Sequence, residues 1–224
     1  RPGGSALDAS PVMPLSHALT AIEVAAILAF ALSGLFAAAR AGLDAVGVCV
    51  VTGLAAFGGG TLRDVLLDRR PFFWVEHAGW IWVLLALCIG AMVFLRARHF
   101  APTERALQWA DALGLGLFTA SGTQIALDAS MPAIVAVLMG VVTAVFGGVL
   151  RDIVCNEIPS AFRDRRPYAV CSFLGGWVLV GSDALGAPAW IGMLGAALAA
   201  SLLRAVALIT GWTLPEWSHG ERRG

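Results

Sequence analysis

Apolar residues in this chain come in long unbroken runs rather than alternating with polar ones. Seven runs stand out: Ala21–Arg40, Asp44–Leu67, Gly79–Leu95, Gln108–Leu127, Pro132–Val154, Pro167–Ser182 and Ala187–Gly211. A helix needs about 20 residues to cross a hydrocarbon core. A membrane β-barrel would alternate apolar and polar positions instead. The pattern predicts an all-α integral membrane protein with seven transmembrane helices. The polar opening, RPGGSALDASPV (1–12), reads as an expression scar or a disordered tail ahead of Met13. Residues 13–214 then form a single transmembrane domain, and 215–224 a cytoplasmic tail.

Composition agrees. Of 224 residues, 58% are hydrophobic and 13% charged, where a soluble domain has about a quarter charged. The mean hydropathy is +0.80. A net charge of +0 with no lysine at all argues against a nucleic-acid partner. Cys49, Cys88, Cys155 and Cys171 are scattered without zinc or CxxC spacing and read as small buried hydrophobes. Four dispersed histidines make no metal site. Most of the eight tryptophans stand near run ends, as an aromatic belt requires.

Two runs carry the same interruption. AAFGGGTLRDVL spans Ala55–Leu66 and AVFGGVLRDIV spans Ala144–Val154, so that an offset of 88 carries Arg63 onto Arg151. The same offset, without a gap, pairs Glu23 with Asp111, Phe30 with Phe118, Ser33-Gly34 with Ser121-Gly122, Ala45 with Ala133 and Pro71 with Pro159. This is an internal duplication. Repeat one covers about 21–97, repeat two about 108–185, and the seventh helix, about 187–211, stands alone. Three crossings per copy make the second copy enter from the opposite side, which predicts two inverted three-helix repeats.

Arginine sets the orientation. One side of the membrane receives Arg40, Arg96, Arg98, Arg105, Arg163, Arg165, Arg166, Arg222 and Arg223, and the other chiefly Arg69 and Arg70. The richer side is cytoplasmic. The expected location is a cell inner membrane, with the N-terminus outside and the C-terminus inside.

The doubled motif holds the candidate chemistry. Gly58, Gly59, Gly60, Gly147 and Gly148 either break their helices and form a constriction or pack helices closely. Adjacent residues on a helix do not face each other, so Asp64 and Asp152 are expected to meet arginines elsewhere, across the pseudo-symmetry axis. Arg63 and Arg151 either line a pathway with them or snorkel to headgroups while the acids cap helix ends. Glu23 and Asp111 are expected in first turns, as dipole partners or as cation-attracting acids at each mouth. Ser33, Ser121 and Thr123 are candidate pore hydroxyls, with Gln124 a further polar residue in mid-helix. The sequence contains no nucleophile–base motif, no phosphate loop leading into a lysine and no HExxH, so no catalytic residue, resident metal or cofactor is expected.

The stretches SGLFAAARAGLDAVGVCVVTGLAAFGGGTLRDVLL and FGGVLRDIVCNEIP resemble the prokaryotic trimeric intracellular cation (TRIC) channels, also described as a bacterial glycine-transporter or uncharacterised membrane family. The resemblance runs from about Glu23 to Gly211. It implies a homotrimer in lipid, each protomer having seven helices and its own pore for monovalent cations, chiefly potassium. It also implies helices two and five kinked at Gly58, Gly59, Gly60, Gly147 and Gly148. Two departures stand out: Glu23 occupies a position that is often Asp, and Phe146 replaces a third glycine of the second motif. Inverted repeats also suit a secondary transporter of a small solute such as glycine, the alternative reading.

Overall fold

The computed structural model describes residues 15–98 and 103–215, and every regular element among them is helical. In order these are α1 (Leu15–Arg40), α2 (Ala45–Leu66), α3 (Phe73–Glu76), α4 (Gly79–Arg98), α5 (Glu104–Asp128), α6 (Ala133–Val154), α7 (Ser160–Arg163), α8 (Ala169–Ala184) and α9 (Ala189–Thr210). Each apolar run becomes one long helix, while the four-residue α3 and α7 had no signal in the hydropathy pattern. The expected leading tail (1–12) lies outside the described residues, as does the trailing one (215–224) apart from Pro215.

Length and composition make α1, α2, α6 and α9 long and apolar enough to cross a membrane, with shorter apolar helices at Gly79–Val93 and α8. The 25-residue α5 is more polar, for a positional reason. It is the central helix, packed against α1, α6, α8 and α9, with nearly all of Asp111–Ala126 buried. A helix surrounded by protein can carry Asp111, Ser121, Thr123 and Gln124, which lipid would not tolerate.

The duplication extends to backbone conformation. After α1 and α5 the chain turns through left-handed residues, Gly42 (φ 66°) and Ser130 (φ 59°); after α2 and α6 it does so at Asp68 (φ 50°) and Asn156 (φ 59°). Both pairs are 88 positions apart. Each of these turns closes a Schellman-type bond: Leu43 N to Ala38 O (3.2 Å) and Met131 N to Ala126 O (3.0 Å), then Arg69 N to Asp64 O (2.8 Å) and Glu157 N to Asp152 O (2.9 Å). At the centre the matched rings of Phe30 and Phe118 stack on each other with centroids 5.3 Å apart.

The two copies differ in their third long helix. In copy two, α8 is wedged among α5, α6 and α9. In copy one, α4 packs chiefly on α2 and leaves Trp82 75% and Val93 67% exposed.

Candidate functional site: two buried arginine–carboxylate clusters

Arg63 and Arg151 are each 1% exposed, the two largest fully buried side chains among the described residues. An unpaired charge cannot stay at such a position, so its partners define the site. Arg63 donates through Nε to Asp64 Oδ1 at 2.9 Å, with Nη2 at 2.8 Å from the same oxygen, while Nη1 reaches Glu23 Oε1 at 2.7 Å. Asp64 Oδ2 accepts from Phe73 N, the first amide of α3, at 3.2 Å. Half-exposed Arg69 stands 3.6 Å from Asp64 Oδ1.

The second cluster repeats the plan. Arg151 Nε donates to Asp152 Oδ1 at 2.7 Å, with Nη2 also 2.7 Å from it, and Nη1 reaches Asp111 Oδ1 at 2.6 Å. Asp152 Oδ2 accepts from Ser160 N, the first amide of α7, at 2.8 Å. Three additions have no counterpart in the first cluster. Arg151 Nη1 donates to Ser33 Oγ, a contact from the other copy. Tyr168 Oη donates to Asp111 Oδ2 at 2.6 Å. Arg204 stacks over the Tyr168 ring, 4.9 Å from its centroid, and pairs with Asp164 at 3.1 Å.

These contacts correct several expectations. Each Asp pairs with the Arg beside it, not with one across the axis. The pair sits in a final helical turn, where the long arginine side chain curls back around the carboxylate. Neither arginine snorkels. Glu23 and Asp111 are not first-turn acids, because α1 and α5 begin about two turns earlier; they are buried counter-ions.

The glycine motifs do not break their helices, since α2 and α6 run continuously through Gly58–Gly60 and Gly147–Gly148. Their work is divided instead. A Cβ on Gly59 would collide with the Thr143 carbonyl, and one on Gly147 with the Ala55 carbonyl. All four residues obey the 88-residue offset, so α2 and α6 cross with backbone against backbone. The next glycines leave room for the charges. A Cβ on Gly60 would meet only Arg63 Nη2, at 3.9 Å, and one on Gly148 would meet Tyr168 Oη at 3.3 Å and Asp111 Oδ1 at 3.4 Å. Gly58 faces Leu150.

Of the candidate hydroxyls, Ser33 joins the second cluster. Ser121 Oγ and Thr123 Oγ1 are buried without a hydrogen-bond partner among the described residues; Thr123 packs against Gly140 and Gly176. Sequence reasoning missed Tyr168 and Arg204. Both carried a signal: Tyr168 is the chain's one tyrosine, and Arg204 is an arginine inside the apolar run Ala187–Gly211.

The clusters open onto unequal spaces. A cavity of about 1060 Å³ reaches Asp111, Arg151 and Asp152, and its walls include Arg40, Arg105 and Arg204. The ends of α1, α5, α6 and α9 meet there, with Arg40 3.8 Å from Glu104. Beside Glu23 and Arg63 the space is only about 10 Å³.

The sequence profile of the family described as "Glycine transporter" matches the chain twice, over residues 20–98 and 108–184. The chain belongs to that family. The two matches begin 88 positions apart, one on each copy of the duplication. Relatives include a UPF0126 membrane protein of Vibrio cholerae, 31% identical over 201 residues, covering 88% of this chain and 82% of the relative. The UPF0126 inner membrane protein YadS of Escherichia coli is 35% identical over 157 residues, covering 70% of this chain and 75% of the relative. Among solved structures, a TRIC trimeric intracellular cation channel orthologue from Rhodobacter sphaeroides is 34% identical with a TM-score of 0.80, covering 87% of this chain and 98% of that one. A second solved TRIC cation channel is 32% identical with a TM-score of 0.79, over 89% of this chain and 97% of that one. The glycine-transporter family thus shares the fold of the TRIC channels, and this chain is a helical membrane protein of that fold.

Proposed function

We propose that the protein is a monovalent cation channel, chiefly for potassium, with one pore in each protomer of a homotrimer. The observation that carries this is the cavity of about 1060 Å³ ending on Asp111, Arg151 and Asp152, with an equivalent buried cluster beyond the crossing of α2 and α6. Within each buried core two carboxylates face one guanidinium, which favours cations at that point, while Arg69 beside Asp64 and the arginine-rich cavity walls balance the charge farther out. The solved relatives, described as cation channels, support the same reading. The path runs from the cavity to the first cluster past the unbroken α2–α6 crossing. Gly59 and Gly147 narrow it by backbone contact, and Gly60 and Gly148 keep its charged stations open. The seven long helices span the inner membrane as two inverted repeats plus α9, with the N-terminus outside and the arginine-rich cavity facing the cytoplasm. The apolar outer face of α4 meets lipid or a neighbouring protomer.

Planar-bilayer recording of the purified protein tests this. Unitary currents reversing near the potassium equilibrium potential are expected. The family's description favours a second reading, a glycine carrier; saturable glycine uptake without unitary current would replace the channel with it. Crosslinking in mild detergent is expected to stop at a trimer. A cysteine at Ser218, on a cysteine-free background, is expected to label only from the cytoplasmic side.

A further inference from the structure

Between α6 and α8 the chain runs along the large cavity as a strap, residues 155–167, that contains α7. Glu157, Ile158, Ser160, Arg163 and Asp164 form part of the cavity wall. The strap is tied in two places. Toward α6, the Ser160 amide donates to Asp152 Oδ2 at 2.8 Å. Toward α8, it is tied to α9, the helix that stands outside the duplication. Arg204 Nη2 pairs with Asp164 Oδ2 at 3.1 Å, and Nη1 donates to Pro167 O at 3.0 Å. Past α9 the chain turns at Gly211 (φ 68°), and Leu214 N donates to Arg165 O at 2.8 Å.

The matching strap of copy one is held by other means. Phe73 packs against the core and stacks on His77 with centroids 5.3 Å apart, while Trp74 Nε1 donates to Thr61 Oγ1 at 3.0 Å. The offset puts Ala161 and Phe162 at these two positions. Ala161 reaches the core with one methyl, whereas Phe162 is 74% and Ile158 66% exposed. Apolar burial thus fixes the first strap, and polar bonds to α9 fix the second. A segment with few buried apolar contacts opens locally at low free energy. The weak side of the tie is Asp164, whose side chain is 25% exposed against 3% for Arg204.

The strap also covers an oxygen that a cation could use. Asp111 Oδ1 and Asp152 Oδ1 are held by Arg151, and Asp111 Oδ2 by Tyr168. Asp152 Oδ2 is held by the Ser160 amide instead. Lifting the strap therefore frees one carboxylate oxygen toward the cavity and leaves both arginine pairs intact.

We propose that this strap is a gate latched by α9. Fastened to Arg204 and Leu214, it keeps its Ser160 amide on Asp152 Oδ2 and closes the cavity floor to cations; released, it swings away and presents that oxygen to the cavity. The gate rests on the channel reading for its effect on current, and its motion is measurable without it.

Asp164→Ala breaks the ion pair and leaves Asp111, Arg151, Asp152 and Tyr168 in place. It also removes the acceptor of the Arg166 amide, 3.2 Å away. Leu214→Pro, which deletes the amide donor of the other tie and touches no charge, is the independent variant. Amide hydrogen exchange read by mass spectrometry on the whole protein in detergent is expected to run at least tenfold faster over residues 160–166 in both variants. Exchange in α6 and over residues 69–76 of copy one is expected to stay at the wild-type rate. In planar bilayers both variants are expected to raise the open probability several-fold, and Asp164→Glu, which keeps the ion pair, to restore wild-type exchange and gating. Strap exchange unchanged in both variants overturns the proposal. So does faster exchange with the open probability unaltered, which would make the ties structural only. Faster exchange together with several-fold faster glycine uptake, in a protein that passes no unitary current, supports the gate and overturns the channel reading alone.

Discussion

The two charge clusters descend from one sequence, and their differences show what duplication preserves. Both keep a buried arginine, the aspartate beside it and an acid 40 residues upstream. Both aspartates cap the short helix that follows. What diverged is the outer shell. Asp111 has Tyr168, with Ser33 also on Arg151, and Arg204 braces the tyrosine. Glu23 has none of these, and 88 positions before Tyr168 stands Trp80. The braced cluster faces the large cavity and the unbraced one the small pocket. On the cavity side all four carboxylate oxygens of Asp111 and Asp152 accept a hydrogen bond.

The largest expected effect comes from removing a guanidinium. Arg151→Met strands Asp111 and Asp152 beneath Tyr168, and breaking such a buried pair costs about 3–5 kcal/mol. Arg63→Met is expected to cost less, since Arg69 remains near Asp64. Thermal melting in matched detergent checks this, and equal losses would break the comparison.

Bulk at the crossing comes next. Gly59→Leu and Gly147→Leu drive a side chain into the Thr143 and Ala55 carbonyls. Overpacking of this kind costs about 1–3 kcal/mol, here at the upper end. Because the offset relates the two contacts, the two variants are expected to lose similar stability. A well-folded Gly59→Leu with unchanged melting would refute the backbone-to-backbone crossing.

Much of this was legible in the sequence, and the exceptions share a cause. The ungapped offset matched Phe30 with Phe118 and Arg63 with Arg151, because a repeat must preserve whatever holds its fold; that the rings stack and that the left-handed turns also repeat came only with the structure. Hydropathy found the long helices but not α3 or α7, each a single turn organised by an aspartate side chain rather than by an apolar face. The Arg63–Asp64 contact was hidden by a sound rule: neighbours on a helix diverge, but arginine is long enough to fold back. Glycine runs carried two meanings, break or close contact, and only the position of the Thr143 carbonyl decides between them. Tyr168 was invisible as a partner of Asp111 because the two are 57 residues apart and outside any shared motif.

Tyr168→Phe separates the clusters more finely. It removes the one donor to Asp111 Oδ2 and leaves the ring under Arg204. A buried acceptor left without its donor costs about 1–3 kcal/mol. The loss is expected at the low end, because the cavity can supply a water in place of the hydroxyl. Arg151 still holds Asp111 Oδ1, so the loss is expected to be well below that of Arg151→Met in the same melting assay. A loss as large as that of Arg151→Met would mean that the tyrosine rather than the arginine holds the second cluster.

The smallest effect tests the glycines that face the charges. Helix propensity alone favours alanine over glycine by about 1 kcal/mol. At Gly60 nothing lies within 3.9 Å of the added methyl, so Gly60→Ala is expected to collect most of that gain and raise the melting temperature. At Gly148 the methyl would press on Tyr168 Oη at 3.3 Å and Asp111 Oδ1 at 3.4 Å. Oη is fixed by its bond to Asp111 Oδ2 and Oδ1 by its bond from Arg151 Nη1, so they yield only at the expense of those bonds, and Gly148→Ala is expected to be neutral or slightly destabilising. Paired melting curves in the same detergent and salt measure the difference, which isolates the outer shell because helix type, register and offset are held equal. Combining Gly148→Ala with Tyr168→Phe is expected to recover the propensity gain, since the hydroxyl that the methyl presses on is gone. If Gly148→Ala stabilises as much as Gly60→Ala with the tyrosine in place, the bracing of the second cluster is looser than its 2.6 Å bond implies.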